Sequence, residues 1–501
     1  MSHVSKLLLL SCLACAFACT VPTLEELEAE RPSGCDADHK CPSDAVCFEN
    51  RCIRTAGLGC TPGTREACGS ERGQCRPGTR LCGAEGVFGA CEGEVTPVTE
   101  VCDGRDNDCN GQVDSWNAVA FTKNHELGTF LAAVPVSRSS VGKADTVLVV
   151  TTEAAGKLVT RAYTTDGTLS TGETLAPPGT NSRYLYPALA EAGDTVAMAW
   201  VEETFLQSTG KRLYKVYLAL LDGNGKLTTP VIDIPYSSTQ PEVTGVKVAL
   251  DSTHVLVLVS TVGAFDPTRA PPRELWAITA SRNLADKVLS TPLNLGAPAS
   301  GFGLHATANG TADHFLVTFE SNHVRQTRVL SNAGLFVGDS LTITQNAFTH
   351  SPFIVPTRGH ASEHTVYFVQ HPLENTSDIM SVTCSSTGRC GILKSVTTWA
   401  HKIERMQMAA RPGEPMPGLA LWGWKDAGMD TSALSVAAVT AQGVGEVALL
   451  RPSSFPTFSE VLVLMPDSSR HVAFHQNPPP TSQGLGIVTQ SEAYLLPFCG
   501  P

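Results

Sequence analysis

The chain has 501 residues, enough for roughly two or three domains, and carries 48 acidic against 36 basic side chains for a formal net charge of −12. An acidic balance without any basic run argues against a nucleic-acid partner, because phosphate backbones are bound by clustered Lys and Arg. The 43 Gly and 32 Pro are spread along the chain instead of concentrated in one linker, which suits a turn-rich all-β protein.

Residues 1–18 read as an export signal. Lys6 gives a basic start, Leu7 to Leu10 open a short apolar run, and Ala16-Phe17-Ala18 places small residues before Cys19. The run is too short for a permanent membrane span. A Cys directly after such a site resembles a bacterial lipobox, which implies lipidation of Cys19 and a membrane anchor. Thr20 in place of Asp points to the outer membrane and cell surface; without the lipid the protein is secreted. Cys12 and Cys15 have redox-like CxxC spacing but leave with the signal. Of seventeen cysteines, fourteen then remain besides the lipid-bearing Cys19, an even number as expected for full pairing in an oxidising compartment.

Residues 19–34 form a tether. Residues 35–56 hold Cys35, Cys41, Cys47 and Cys52 with too few apolar residues for a core, so disulfides must replace one. Three pairings are possible, of which analogy with small secreted modules favours Cys35–Cys47 with Cys41–Cys52. Zinc is the rival reading, disfavoured because no CxxC pair occurs there.

Residues 57–117 form a second cysteine-rich segment that ends in Cys102-Asp103-Gly104-Arg105-Asp106-Asn107-Asp108-Cys109-Asn110-Gly111-Gln112-Val113-Asp114. With Asp106 as the first position, Asp108, Asn110 and Asp114 follow at the third, fifth and ninth, and Gly111 sits at the sixth, where a calcium loop turns sharply. The Gln112 carbonyl would serve the seventh, and Asp103 stands close by. Asn117 at the twelfth lacks the bidentate carboxylate of a full EF-hand, so weak affinity is expected. A plain Asp/Asn/Gly turn stapled by a disulfide is the alternative. The stretch resembles the secreted metal-binding-motif family, roughly C-D-G-x-D-N-D-C-D-G-x-V-D, with Asn110 replacing the usual Asp. Members are typically bacterial cell-surface or secreted proteins, and one is named for copper binding. Copper suits this loop less than Ca2+, because it favours thiolate, thioether or imidazole over hard oxygens.

Cys102 and Cys109 enclose a small ring and most simply pair. The preceding Cys60, Cys68, Cys75, Cys82 and Cys91 are odd in number, so one needs a distant partner. With Cys384 and Cys390 pairing across a turn, a Cys60–Cys499 bridge is expected.

Residues 118–501 change texture. Short apolar strands begin at Thr146, Thr195, His254, His314, His364, Gly418 and Arg470, roughly 50–60 residues apart, each followed by further strands and Gly-containing hairpin turns. A repeat of this kind predicts a β-propeller, with seven blades favoured, six the alternative, and tandem β-sandwiches the runner-up. The strand around 118–121 is placed to complete the last blade.

No GxSxG, Walker, Rossmann or HExxH pattern occurs. His360 and His364 lie in a turn before a strand instead of on one helical face. Glu202-Glu203 reads as a solvated strand end, although such a pair could serve a glycosidase. The expected function is a non-enzymatic surface lipoprotein whose propeller binds an extracellular protein or glycan. A polysaccharide hydrolase or lyase, and metal capture, are the alternatives.

Overall fold

The computed structural model describes residues 34–98, 105–111 and, apart from a number of short connections, 119–498. The chain divides into two compact units, Met1–Ser115 and Trp116–Pro501.

The first unit contains two hairpins, Ala45–Phe48 with Arg51–Arg54 and Arg65–Cys68 with Gly78–Leu81. Its buried apolar side chains among the described residues are Pro62 and the half-cystines Cys35, Cys52, Cys75, Cys82 and Cys109. Bridges therefore stand where a core would be, each typically contributing about 2–4 kcal/mol by restricting the unfolded chain. Cys35–Cys47 and Cys41–Cys52 pair as expected. Their sulfurs lie close together, but all are consumed in disulfides, so no thiolate remains there for zinc.

Two other expected pairings are corrected. Cys60 bonds Cys82, not Cys499. The reason is backbone pairing: Gly63 N donates to Cys82 O at 3.0 Å, Cys82 N to Thr64 O at 2.9 Å, and Cys60 N to Gly86 O at 3.1 Å. Cys68 pairs with Cys91. Cys109 bonds Cys75 and not Cys102. Here Gln74 N donates to Asp106 O at 2.8 Å, drawing the acidic loop onto the turn that carries Cys75. The odd cysteine of the run is thus satisfied by the loop itself. Cys102 and Cys499 lie outside the described residues.

Among its described residues the second unit forms seven four-stranded antiparallel sheets. Six are sequential meanders, within residues 131–175, 182–233, 242–296, 305–345, 353–399 and 402–453. The seventh combines Thr457–Leu464, Arg470–Gln476 and Gln490–Phe498 with the N-terminal strand Val119–Glu126, the closing strand anticipated from the sequence. The first strand of this last sheet also packs on Leu131–Val136, the first strand of blade one, so the series closes into a ring. Tandem sandwiches would leave it open. The fold is a seven-bladed β-propeller.

Ring closure explains the uninterrupted apolar runs, because each blade is buried on both faces. Leu148 and Val150 of blade one pack with Met198 and Trp200 of blade two. The alternate residues of that same strand, Ala197, Ala199 and Val201, pack with Val255, Val257 and Val259 of blade three. Burying one such side chain contributes about 1.5–3 kcal/mol. Polar pegs fix the angle between blades. The turn Asp222–Gly225 of blade two reaches onto blade one, where Thr160 Oγ1 donates to Gly225 O at 2.7 Å and Thr146 Oγ1 to Gly223 O at 3.0 Å. Gly225 has φ +77°, and a Cβ there would lie 2.8 Å from both Leu148 Cδ1 and Thr160 Oγ1. Among the described residues no helix is long and apolar enough to cross a membrane.

Candidate functional site

Two places concentrate polar chemistry, one in each unit. In the first, the described part of the acidic loop is residues 105–111. Asp106 is buried, and its carboxylate accepts from Asn110 N at 3.1 Å and Gly111 N at 2.9 Å. Asp108 Oδ1 accepts from the same Asn110 N at 3.1 Å, and Asn110 Nδ2 donates to Asp108 Oδ2 at 2.9 Å. Two carboxylates are therefore drawn to a single amide, a local excess of negative charge that a cation would relieve. Gly111 has φ +94°, the sharp turn expected of the sixth position. Gly73 is equally required, since a Cβ there would lie 2.5 Å from Asp106 Cγ. The donors are hard oxygens, which fit Ca2+ better than copper. Asp103, Gln112 and Asp114 lie outside the described residues.

In the second unit a cleft of about 690 Å³ opens between blades one and two. One wall is the turn between the strands Thr146–Glu153 and Lys157–Thr164; the other is the connection at 176–182 and the start of the strand Ser182–Ala192. Lys157, Asn181, Ser182, Arg183, Tyr184, Glu203 and Phe205 all face it. Gly156, at φ +66°, lets the turn come down on Arg183, whose Cα would lie 2.6 Å from an added Cβ.

Blade two builds the floor. Its second and third strands, Thr195–Leu206 and Lys211–Asp222, run twelve residues each, and their far ends carry the charged and aromatic groups. Glu203 Oε1 lies 2.8 Å from Arg183 Nε, and Glu203 Oε2 lies 2.9 Å from Arg212 Nη1 and accepts from Tyr214 Oη at 3.1 Å. Burial pushes the Glu203 carboxyl up, but Arg183, Arg212 and Tyr214 together outweigh it and hold its pKa below the ordinary value. Glu203 is thus ionised and saturated. The neighbouring Glu202 accepts from Tyr217 Oη at 2.7 Å and Thr204 Oγ1 at 3.0 Å. The sequence reading of this pair as a solvated strand end is corrected: both side chains are buried, at 5% and 6% exposure, because cross-strand Arg and Tyr neighbours cover them.

The aromatic wall is fixed in place. Tyr184 meets Trp200 edge-on, with centroids 6.0 Å apart, and its hydroxyl donates to Ala176 O at 3.2 Å. Burial first, then the Glu202 charge, raises its pKa, so the phenol stays a neutral donor. Phe205 stands at 41% exposure, a large apolar ring at the mouth. Glu153, on the opposite wall, is paired with Arg161. Lys157 is exposed and has no partner among the described residues. His364, half of the expected HxxxH spacing, is instead a buried strand residue whose Nε2 lies 3.1 Å from Thr327 Oγ1 of the preceding blade; His360 lies outside the described residues.

No family model and no curated protein matches the chain. Among solved structures, "Structure of Dos1 propeller" aligns at 11% identity and a TM-score of 0.39, over 76% of this chain and 94% of that one. The fucose-specific lectin from Aleuria aurantia aligns at 10% identity and TM-score 0.35, over 67% and 99% respectively. The Trypanosoma rangeli sialidase aligns at 10% identity and TM-score 0.37, over 76% and 58%. The chain resembles these in overall architecture; the blades themselves, described above, carry the assignment.

Proposed function

We propose that this protein is a non-enzymatic cell-surface lipoprotein whose propeller binds an extracellular protein or glycan through the cleft between blades one and two. The observation that carries the reading is how the carboxylates in that cleft are held: Glu203 by Arg183, Arg212 and Tyr214, and Glu153 by an ion pair to Arg161 through Oε1. Glu203, locked in ion pairs and held below its ordinary pKa, is poorly placed to deliver or take a proton. A cleft of this volume, with fixed aromatic walls and a few convergent donors, suits recognition. The test is incubation of the full-length chain with panels of polysaccharides and surface proteins, scored for both retention and cleavage. Retention without cleavage supports the reading, whereas turnover of any polysaccharide replaces it with a hydrolase or lyase.

In this reading Cys19 carries the lipid that ties the protein to the outer membrane, and residues 19–34 are its spacer. The loop at Asp106, Asp108 and Asn110, extended by Asp103, Gln112 and Asp114, holds a structural Ca2+ that stiffens the disulfide unit. Mass spectrometry of the mature N-terminus tests the anchor. Calorimetry tests the metal: saturable Ca2+ binding that disappears in Asp106→Ala/Asp108→Ala is expected, and binding of copper alone would favour metal capture.

A further inference from the structure

Resting on the binding reading above, we propose that the cleft between blades one and two takes a carboxylated oligosaccharide, with Arg183 and Lys157 receiving the acid group and Tyr184 and Phe205 receiving the sugar face.

The preference for an anion follows from which groups in the cleft have bonding capacity left. The carboxylates lining the cleft are already paired with cations: Glu203 with Arg183 and Arg212, beside Tyr214, and Glu153 with Arg161 through Oε1. The cationic donors keep bonding capacity. Arg183 uses only Nε on Glu203, its side chain is 51% exposed, and its terminal nitrogens have no protein partner among the described residues. Lys157 is exposed across the cleft with its ammonium unpaired among the described residues. A guanidinium fork already held at one edge by Glu203 has lost rotamer freedom, so it presents its other edge to a planar carboxylate at reduced entropic cost. These cations belong to a chain of net charge −12, so an anion drawn to this place is responding to a local feature, not to the overall field.

The remaining surface of the cleft suits a saccharide. Thr180, Asn181 and Ser182 form a consecutive run of hydroxyl and amide groups along the cleft wall. Tyr184 is braced by Trp200 and by its hydrogen bond to Ala176, and Phe205 stands exposed at the mouth. Rigid aromatic faces beside short polar side chains match a ring with apolar C–H faces and an equatorial rim of hydroxyls. An acidic peptide would use the cations but leave the aromatic faces and the amide run unanswered. Beyond the cleft the strand bends toward blade three, where Tyr186 packs. Tyr186 follows these residues at φ +51°, unusual for a bulky side chain, inside a bulge between Leu185 and Ala188. Bulges at the same point in blades three, six and seven show the kink to be a blade feature, whereas the positive φ on a non-Gly residue is peculiar to blade two among the described bulges.

The experiment measures binding of trigalacturonate, maltotriose and a triglutamate peptide to the full-length chain by calorimetry, at low and at high salt. The variants are Lys157→Glu and Phe205→Ala, both at exposed positions, and Arg183→Lys, which keeps charge and removes the fork. Saturable binding of trigalacturonate, weakened by salt and at least about tenfold weaker in Lys157→Glu, is expected. Phe205→Ala and Arg183→Lys should each weaken it as well. Unchanged affinity in all three variants overturns the site. Equal binding of maltotriose overturns the acid preference and leaves the glycan reading standing. Triglutamate binding as tightly as trigalacturonate overturns the saccharide. If none of the three ligands binds, the proposal fails, and the wider polysaccharide and protein panel decides separately whether the propeller is a binding module.

Discussion

Replacing Glu203 with Gln keeps shape and removes one charge from the centre of the blade-two network. Three interactions change. The pairs with Arg183 and Arg212 involve arginines 51% and 53% exposed, so solvent screening limits each to about 0.5–1 kcal/mol. The third is the Tyr214 hydroxyl, whose buried bond to a charged acceptor weakens to a neutral one, a loss of about 1 kcal/mol. Gln also relieves the cost of burying the charge, so Glu203→Gln should destabilise the propeller by about 1 kcal/mol near neutral pH and by no more than about 2–3, read as a shift in urea midpoint at constant slope. The pH dependence supplies the internal control. Glu203 has a folded pKa below its ordinary 4.5, so its contribution is present above about 4.5 and is lost as pH falls through the lower folded value. Wild type and Glu203→Gln should converge under strongly acidic conditions. A difference that persists undiminished there, or no difference at neutral pH, would refute the ion-pair account of this corner.

Further outcomes follow from the same contacts. His364 is buried, and burial lowers its pKa from 6.5 to about 4, so acidification between those values should cost up to about 3 kcal/mol of stability. His364→Gln, with no proton to take, should flatten that part of the stability–pH curve measured by denaturant titration. Gly225→Ala places a Cβ against Leu148 and Thr160 at positive φ, and should destabilise by about 1–3 kcal/mol in the same assay. Gly156→Ala presses on Arg183 and should deform the cleft, visible as weakened ligand retention with the disulfide unit unaffected. Peptide mapping without reduction should recover Cys60 with Cys82 and Cys75 with Cys109, and thiol titration should find none of these four free. A Cys102–Cys109 peptide would contradict the loop geometry.

The sequence by itself determined what depends on local pattern. Apolar strands at a regular interval, punctuated by Gly turns, specify a repeat whose units cannot bury both faces alone, and seven such starts give seven blades. The strand near 118–121 closing the ring was also legible, as were the pairings Cys35–Cys47, Cys41–Cys52 and Cys384–Cys390, each made over a short loop. The sharp turn at Gly111 followed from spacing alone. What only the tertiary structure decided depends on which distant segments meet. Counting cysteines favoured a Cys60–Cys499 bridge and a Cys102–Cys109 ring, whereas backbone hydrogen bonds between 60–64 and 82–86, and from Gln74 to Asp106, chose other partners. The cleft left no linear signature: Arg183 and Phe205 lie on separate strands that pairing within blade two brings together, and Lys157 joins them only when blade one packs alongside. Glu202 and Glu203 look solvated in a one-dimensional reading because their cover, Tyr214, Tyr217 and the two arginines, comes from paired strands. Periodicity is a property of neighbours along the chain and fixes the blade; the chemistry between blades is set by ring closure, which brings together residues that no spacing rule connects.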